Sequence, residues 1–374
     1  MSAGRSNKTL KIVDRYIGTA LLAPLALRPK RALNRGTVRR IGLMKTAAIG
    51  DTLLLAGLIG DVRAAYPSAS VILITGEDNR GAVNLLPDTI DEHIVVTPRR
   101  PLSSVRSVRD AHLDVLADFG SWPRFDALIA ALSGAKFILG FRTPGQFRHY
   151  GFDKTVPHGL VHERENYVRL LAELGIHATA APAIRAARML AADRYPSGPY
   201  MVFHPWASGH LHQAREWPTE RWLELADWVQ SLGCIVVLSG APSERSAGDA
   251  LAARLAETGA TVVNAAGRFT LAELVDLLVG SRAVVSVNTG IAHMASLAGA
   301  PTVSLQGPTS SARWGPLGPR VRLVDSTLPG CGYLNLGFEY AGQRLDCMAG
   351  ISAESVIAAI ESLLKDGIEE VRAR

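Results

Sequence analysis

The chain has no apolar run of the eighteen or so residues that a membrane-crossing helix needs. The nearest, Ile17 to Leu27, is eleven residues long and contains Pro24. A secretory signal is not expected, because sixteen residues precede that run and no small-x-small cleavage site follows it. Cysteine is scarce: Cys234, Cys331 and Cys347, with no CxxC spacing. That excludes a disulfide-rich scaffold, argues against a zinc ribbon and suits a reducing compartment; whether Cys331 and Cys347 are neighbours stays open. No Gly-Lys-Ser/Thr follows a glycine-rich turn, and the one GxG, Gly330 and Gly332, has Asn335 where a third glycine would stand. ATP-hydrolysing and nicotinamide readings lose their main support. Asp-x-Asp is also absent. With 48% hydrophobic and 20% charged residues and no low-complexity tract, the chain is not disordered or collagenous.

What is present fits two domains in 374 residues. The net charge of +6 is concentrated at one end. Residues 1–40 carry ten Lys/Arg against Asp14 alone, a charge of +9, which leaves the remainder at −3. The excess describes an arm, not a nucleic-acid-binding surface. Within it Leu10, Ile12, Val13, Tyr16 and Ile17 alternate with Lys8, Lys11 and Arg15. An amphipathic anchor through residues 1–35 on an anionic leaflet is expected; a basic leader, or a helix docked on the body, is the plainer alternative.

From residue 38 short β-branched runs alternate with helical stretches, the pattern of βαβ units and parallel sheets. Strands are expected at Val38–Lys45, Val71–Thr75, His93–Val96 and Asp126–Leu132, with helices over 52–65 and His162–Gly175. A Pro-, Arg- and Ala-rich stretch then serves as linker. The rhythm restarts with strands at Tyr200–His204, Ile235–Ser239, Thr261–Ala265, Ala283–Val287 and Thr302–Leu305, separated by helices. The organisation is an arm (1–37), a first domain (38–180), a linker (181–199), a second domain (200–350) and a terminal helix (351–374). The fold class is α/β, two doubly wound Rossmann-like lobes with a central cleft, and ligands belong beyond the carboxyl ends of the strands.

Four strand-end loops carry candidate chemistry. The first, 45–52, reads Lys-Thr-Ala-Ala-Ile-Gly-Asp-Thr and sets Asp51 at a helix start, where it is either a cleft carboxylate or a helix cap. In the second, His204-Pro-Trp-Ala-Ser208-Gly209 is followed by His210, His212 and Arg215-Glu-Trp-Pro. Small residues there let a phosphate approach closely, and Arg215 offers a planar fork. The HxH pair lacks a third ligand nearby, so loop histidines are the expectation rather than zinc. The third loop, Asn288-Thr289-Gly290-Ile-Ala-His293, opens a helix whose N-terminal amides suit an anion. His293 is either part of that site or a core histidine. The fourth, Gln306-Gly-Pro-Thr, leads into Arg313-Trp-Gly-Pro and needs no more than a turn explanation.

Together, "KTAAIGDT" (45–52), "HPWAS" with "REWP" (204–218), "SGAPSE" (239–244), "NTGIAH" (288–293) and "GPTSSARWGP" (307–316) resemble glycosyltransferase family 9, the lipopolysaccharide heptosyltransferases. The lead-in "IVDRYIG" (12–18) is similar to the basic leader of some members. The resemblance runs from about residue 40 to 360. It implies a GT-B architecture, with acceptor on the first lobe and nucleotide-sugar on the second. The implied donor is ADP-heptose and the acceptor a glycolipid, the inner core of lipopolysaccharide at the cytoplasmic face of the inner membrane. The implied reaction is inverting and free of metal or other cofactor, with no nucleic-acid partner. Asp51 matches the position of the base, with Lys45 and Gly50 beside it. Ser208, Arg215, Thr289 and Gly290 match groups for the diphosphate, Glu244 an acid for the ribose hydroxyls, and His293 the histidine bordering the phosphates. The chain departs from the pattern at Asn288, usually Asp, at Arg215, often Lys, and at Trp206, commonly small. The sugar is therefore less constrained than the reaction. A nucleotide-sugar epimerase and a two-lobed sugar-binding protein are the competing classes.

Overall fold

The computed structural model describes residues 12–87, 89–185, 190–209, 211–335 and 345–373. The chain divides into two compact units, one ending at Pro182 and the other beginning at Ala183. The first holds β1 (Arg40–Lys45), β2 (Ser70–Gly76), β3 (Glu92–Val96), β4 (Val115–Asp118), β5 (Phe137–Arg142) and β6 (Lys154–Pro157). The second holds β7 (Tyr200–His204), β8 (Ile235–Leu238), β9 (Val262–Asn264), β10 (Val284–Val287), β11 (Thr302–Gln306) and β12 (Val321–Asp325).

The sheets have the orders β3-β2-β1-β4-β5-β6 and β12-β11-β10-β7-β8-β9. Every strand pairing is parallel. These are the same topology twice, each starting at the middle, running outward one way and then the other. The order reverses between β1 and β4 and between β7 and β10. Loops at such a reversal diverge to opposite faces and leave a crevice. Register fixes which residues stand there: Met44 lies beside Asp118, and Ser286 beside His204. The central strands are largely apolar and buried; Tyr200–His204 is buried at all five positions.

Several sequence expectations change. The run Asp126–Leu132 is part of a helix, Arg124–Leu132, not a strand. Its alanines and leucines favour a helix, and a short apolar run has no periodicity to separate the two. The strand role falls to β4, β5 and β6, none of which was anticipated. The expected helix 52–65 is two helices, Ile49–Leu53 and Leu58–Ala65, parted by Gly57 at φ 76°. A side chain at that left-handed position would be strained and would press on the backbone of Ala181. β12 was also missed. Cys331 and Cys347, left open by the sequence, form a disulfide with Cα atoms 5.7 Å apart, a pairing that a reducing compartment does not favour; Cys234 is a buried free thiol.

The described part of the arm is docked on the first unit. Three helical stretches, Asp14–Gly18, Thr19–Leu22 and Ala23–Leu27, follow one another, and Leu22 is fully buried. Asp14 accepts hydrogen bonds from the Phe125 amide (3.0 Å) and from Arg124 (3.2 Å) at the start of the 124–132 helix. Arg28 and Arg31 pair with Asp153 at 2.7 and 2.8 Å, and Lys30 donates to the Phe152 carbonyl at 2.6 Å. Much of the basic charge is thus spent on the body. The apolar residues Ile12, Tyr16, Ile17 and Leu21 remain more than half exposed. Among the described residues no helix is long and apolar enough to cross a membrane.

Candidate functional site

In the first unit, β1 delivers Lys45 to the carboxyl edge of the sheet. Its ammonium is buried, 3.0 Å from the Asp51 carboxylate, 3.3 Å from the Phe119 carbonyl and 5.5 Å from the centre of the Tyr167 ring. Asp51 lies in the first turn of Ile49–Leu53, where a carboxylate suits the helix dipole. It is not the N-cap: that position is Ala48, which offers no side-chain cap. Asp51 and Lys45 come together. Gly50, in the same turn, is buried.

The 45–52 loop is tied at both ends by Asn79, which sequence reasoning missed. The Asn79 amide donates to the Lys45 carbonyl (2.8 Å) and to Thr52 Oγ1 (2.6 Å), while its oxygen accepts from the Gly76 amide. Between these ties Ala48 has φ 60° and ψ 135°, a backbone conformation that costs a non-glycine residue energy. Beneath the loop Asp118 pairs with the fully buried Arg148 at 2.5 Å, and burial pushes the Asp118 carboxyl up.

In the second unit, the REWP segment folds back on the loop after β7. Glu216 accepts from the Ala207 amide (3.3 Å) and meets His212 Nδ1 at 2.8 Å. Arg215 donates to the Ser208 carbonyl, and among the described residues its buried Nε has no partner. Trp217 Nε1 donates to the Ile351 carbonyl at 2.9 Å and anchors the segment to the core. Ser208 and Arg215 therefore come together. His212 is occupied by Glu216, and His210 lies outside the described residues. His204 is buried, bonded to Ser239 Oγ at 3.0 Å, and its burial lowers it to about 4, so it is neutral at pH 7. Glu244 accepts from the Ala241 amide at 2.6 Å; burial, with Glu216 nearby, pushes its carboxyl up. Among the described residues no group of three or more His, Cys, Asp or Glu side chains is placed to hold a metal ion.

After β10, the Thr289 hydroxyl caps the helix Gly290–Leu297 by accepting from the Ile291 amide at 3.3 Å. His293 is 4% exposed in that helix. The Asn288 amide donates to Gln306 Oε1 and to the Trp314 carbonyl, the latter at 3.1 Å. The carbonyl can only accept, which fixes the amide orientation. Gln306 then turns its own amide to Ser304 Oγ at 2.8 Å. Trp314 Nε1 and Arg313 Nε both reach the Asn335 carbonyl, so the 307–316 loop is a braced element rather than a bare turn. β7 and β10 are sheet neighbours, so the Ser208–Arg215 and Asn288–His293 motifs start from adjacent strands.

The family model for glycosyltransferase family 9 (heptosyltransferase) matches residues 127–331. That span holds the 204–218 and 288–293 motifs but not the 45–52 loop. The chain is 27% identical over 291 residues to lipopolysaccharide heptosyltransferase 1 of Salmonella typhimurium, covering 72% of this chain and 89% of that protein. It is 38% identical over 128 residues to the Pseudomonas aeruginosa lipopolysaccharide heptosyltransferase 1, a match spanning 34% of each chain. Among solved structures, the ADP-heptose lipopolysaccharide heptosyltransferase II of E. coli is similar with a TM-score of 0.70 at 22% identity, covering 88% of this chain and 99% of that one. A family 9 glycosyltransferase from Veillonella parvula gives 0.73 at 19% identity, covering 90% and 99%. These likenesses are to the two-lobed GT-B architecture. With the family match extending over more than half of its length, this chain belongs to glycosyltransferase family 9 and is a glycosyltransferase.

Proposed function

We propose that the enzyme transfers a heptose from ADP-heptose to the inner core of lipopolysaccharide, with inversion and without a metal. The observation that supports this reading is Asp51, a carboxylate in the first turn of the helix after β1, paired with the buried Lys45 ammonium at 3.0 Å. An acceptor hydroxyl attacks the anomeric carbon from the face opposite the diphosphate. The new C–O bond forms as the bond to the diphosphate breaks, the hydroxyl proton passes to Asp51, and ADP leaves with the electron pair. Arg215, the Ser208 hydroxyl and the Thr289 and Gly290 amides are the groups of this chain suited to the negative charge that collects on the leaving group. Glu244 is suited to the ribose hydroxyls and His293 to the edge of the phosphates.

Asp51→Asn keeps size and polarity and should lower kcat by about 10²–10⁴-fold while ADP binding and Tm stay near wild type. Turnover within a few-fold of wild type would remove Asp51 as the base. Asn288 favours a second reading, transfer of another activated sugar, because it sets an amide tied to Gln306 and Trp314 where the family usually has a carboxylate. Titration with ADP, UDP and GDP separates the two: preference for ADP supports heptose, and preference for UDP overturns it.

The reading includes work at the inner face of the cytoplasmic membrane. The exposed Ile12, Tyr16, Ile17 and Leu21 form an apolar stripe on a docked, basic segment. Replacing Tyr16, Ile17 and Leu21 with Ser should weaken sedimentation with anionic vesicles while Leu22 keeps the segment docked. Unchanged sedimentation would remove the anchor.

A further inference from the structure

Asp126 belongs to none of the motifs above. It sits in the first turn of Arg124–Leu132, is 3% exposed, and accepts a hydrogen bond from Thr46 Oγ1 at 2.6 Å. Thr46 is the first residue of the loop that ends at Asp51.

Three charged groups act on it. Asp118 and Arg148 face it from β4 and the Arg148–Gly151 turn, and Asp14 from the arm. Gly120 shows how tightly they gather. A Cβ there would lie 2.9 Å from both Asp118 Oδ1 and Arg148 Nη2, and 3.1 Å from Asp126 Oδ2. The Arg148 guanidinium is already committed to Asp118 and to the Gly120 and Pro123 carbonyls. Two carboxylates thus share a site with one guanidinium, and Asp126 is held by the Thr46 hydroxyl. An amide or an aliphatic side chain would fill this space at less cost than a second buried charge.

We infer that Asp126 is a positioning residue: by holding Thr46 it sets the 46–51 loop, and through it Asp51, in the arrangement that proton removal requires. The inference rests on the reading of Asp51 as the base. The loop has reason to need such a hold. Asn79 fixes Lys45 and Thr52 at its two ends, but Ala48 between them is in a costly conformation. The Thr46 side chain is the tie from inside the loop to the 124–132 helix. The arm joins the same assembly, because Asp14 holds the first turn of that helix.

Protonation bears on the tie. Burial, and then Asp118, push Asp126 up to about 7. Above that pH the hydroxyl meets a carboxylate; below it the bond becomes a neutral one, roughly half as strong.

The test compares wild type, Thr46→Val, Thr46→Ser, Asp126→Asn and Asp51→Asn between pH 5.5 and 8.5, with ADP-heptose and a Kdo-terminated lipid acceptor. Thr46→Val should lower kcat about 10- to 100-fold with ADP affinity unchanged, and Thr46→Ser should recover to within about threefold. The fall in kcat below pH 7 should shift to lower pH in Asp126→Asn. Amide hydrogen exchange across 46–52, which needs no substrate, should be about tenfold faster in Thr46→Val. Wild-type exchange and wild-type kcat in Thr46→Val, or an acid limb unmoved in Asp126→Asn, would overturn the inference. If Thr46→Val fails to fold, the Asp126→Asn pH profile and the Thr46→Ser exchange rates decide it, the latter expected to match wild type. An active Asp51→Asn would instead remove the base assignment. An inactive Asp51→Asn beside a fully active Thr46→Val would remove the positioning role alone.

Discussion

Where the first sheet reverses its strand order, Lys45, Asp51, Asp118, Asp126 and Arg148 are gathered around the ends of β1 and β4, and all but Asp51 are at most 4% exposed. Where the second sheet reverses, the groups are Ser208, Arg215, Asn288, Thr289 and Gly290, each at least partly exposed and tied largely to the backbone. The strand order is the same; the chemistry at its reversal is not. The first end holds one partly exposed carboxylate, Asp51, among buried charges. The second presents neutral donors and one guanidinium, chemistry suited to a large anion. The same topology sets both reversals, and the residues on the strands, helices and loops around each make them differ.

The largest effect expected from breaking this contrast lies in the first unit. Arg148→Leu leaves Asp118 buried without its cation and should cost about 3–5 kcal/mol in denaturant unfolding. Adding Asp118→Asn should recover most of it; a loss below about 1 kcal/mol would show that the cluster is not held by this pair. Asp126→Asn should act in the opposite direction. Its folded-state pKa of about 7 is above the ordinary value of 3.8, so the folded protein holds this proton more readily than the unfolded chain. The stability it contributes is complete below about pH 4 and is lost as the pH rises through 7. Asn removes the loss, so the variant should melt higher than wild type at pH 8.5, with the gap narrowing at pH 5.5. A gap that widens on acidification would refute the assignment.

The same comparison predicts a smaller effect in the second unit. Arg215→Ala should weaken ADP binding about 10- to 150-fold, the equivalent of one hydrogen bond to a charged group at about 1.5–3 kcal/mol, with little change in stability. Arg215→Lys should recover part of it through charge without the fork. Unchanged ADP affinity in the Ala variant would assign the phosphates to another group.

Much of this was legible in the sequence, and the reasons are local. Tyr200–His204 and the loop after it stand out because a central parallel strand is a continuous apolar run ending in small residues. Asp51 is visible because a carboxylate follows Gly50 at a strand-to-helix turn. β6 was lost because a four-residue edge strand ending in Pro157 has no pattern to find. β5 was lost because Gly140 interrupts it, a residue required there by Phe152 packing against its Cα. Asp118, Asp126 and Arg148 could not be grouped in advance. Their contacts join residues up to 80 apart in sequence, and only sheet order and helix placement bring them together. The arm shows the same limit. Its amphipathic pattern is plain, but that Arg28 and Arg31 turn inward to Asp153 depends on a partner more than a hundred residues away.

The smallest predicted effect sharpens the comparison most, because it separates rigidity from stability. Ala48 has φ 60° and ψ 135°, a region glycine enters freely and alanine does not. Such strain costs of order 1–3 kcal/mol, and glycine gives back about 0.4–1 kcal/mol through greater freedom in the unfolded chain. Ala48→Gly should therefore raise stability by about 1 kcal/mol. It should also loosen the segment between Thr46 and Asp51, and a loosened base spends less time aimed at the acceptor. A kcat lowered a few-fold, with a raised Tm and unchanged ADP affinity, is the expected combination. On the second unit Thr289 caps its helix in an ordinary extended conformation at φ −147°, and a non-glycine residue of positive φ there, Leu211, lies at φ 51° and ψ 39°, the left-handed helical region rather than that of Ala48. A lower Tm in Ala48→Gly would show that the methyl group contributes packing that outweighs the strain. A higher Tm with undiminished kcat would show that the loop needs no rigidity to hold Asp51 in place.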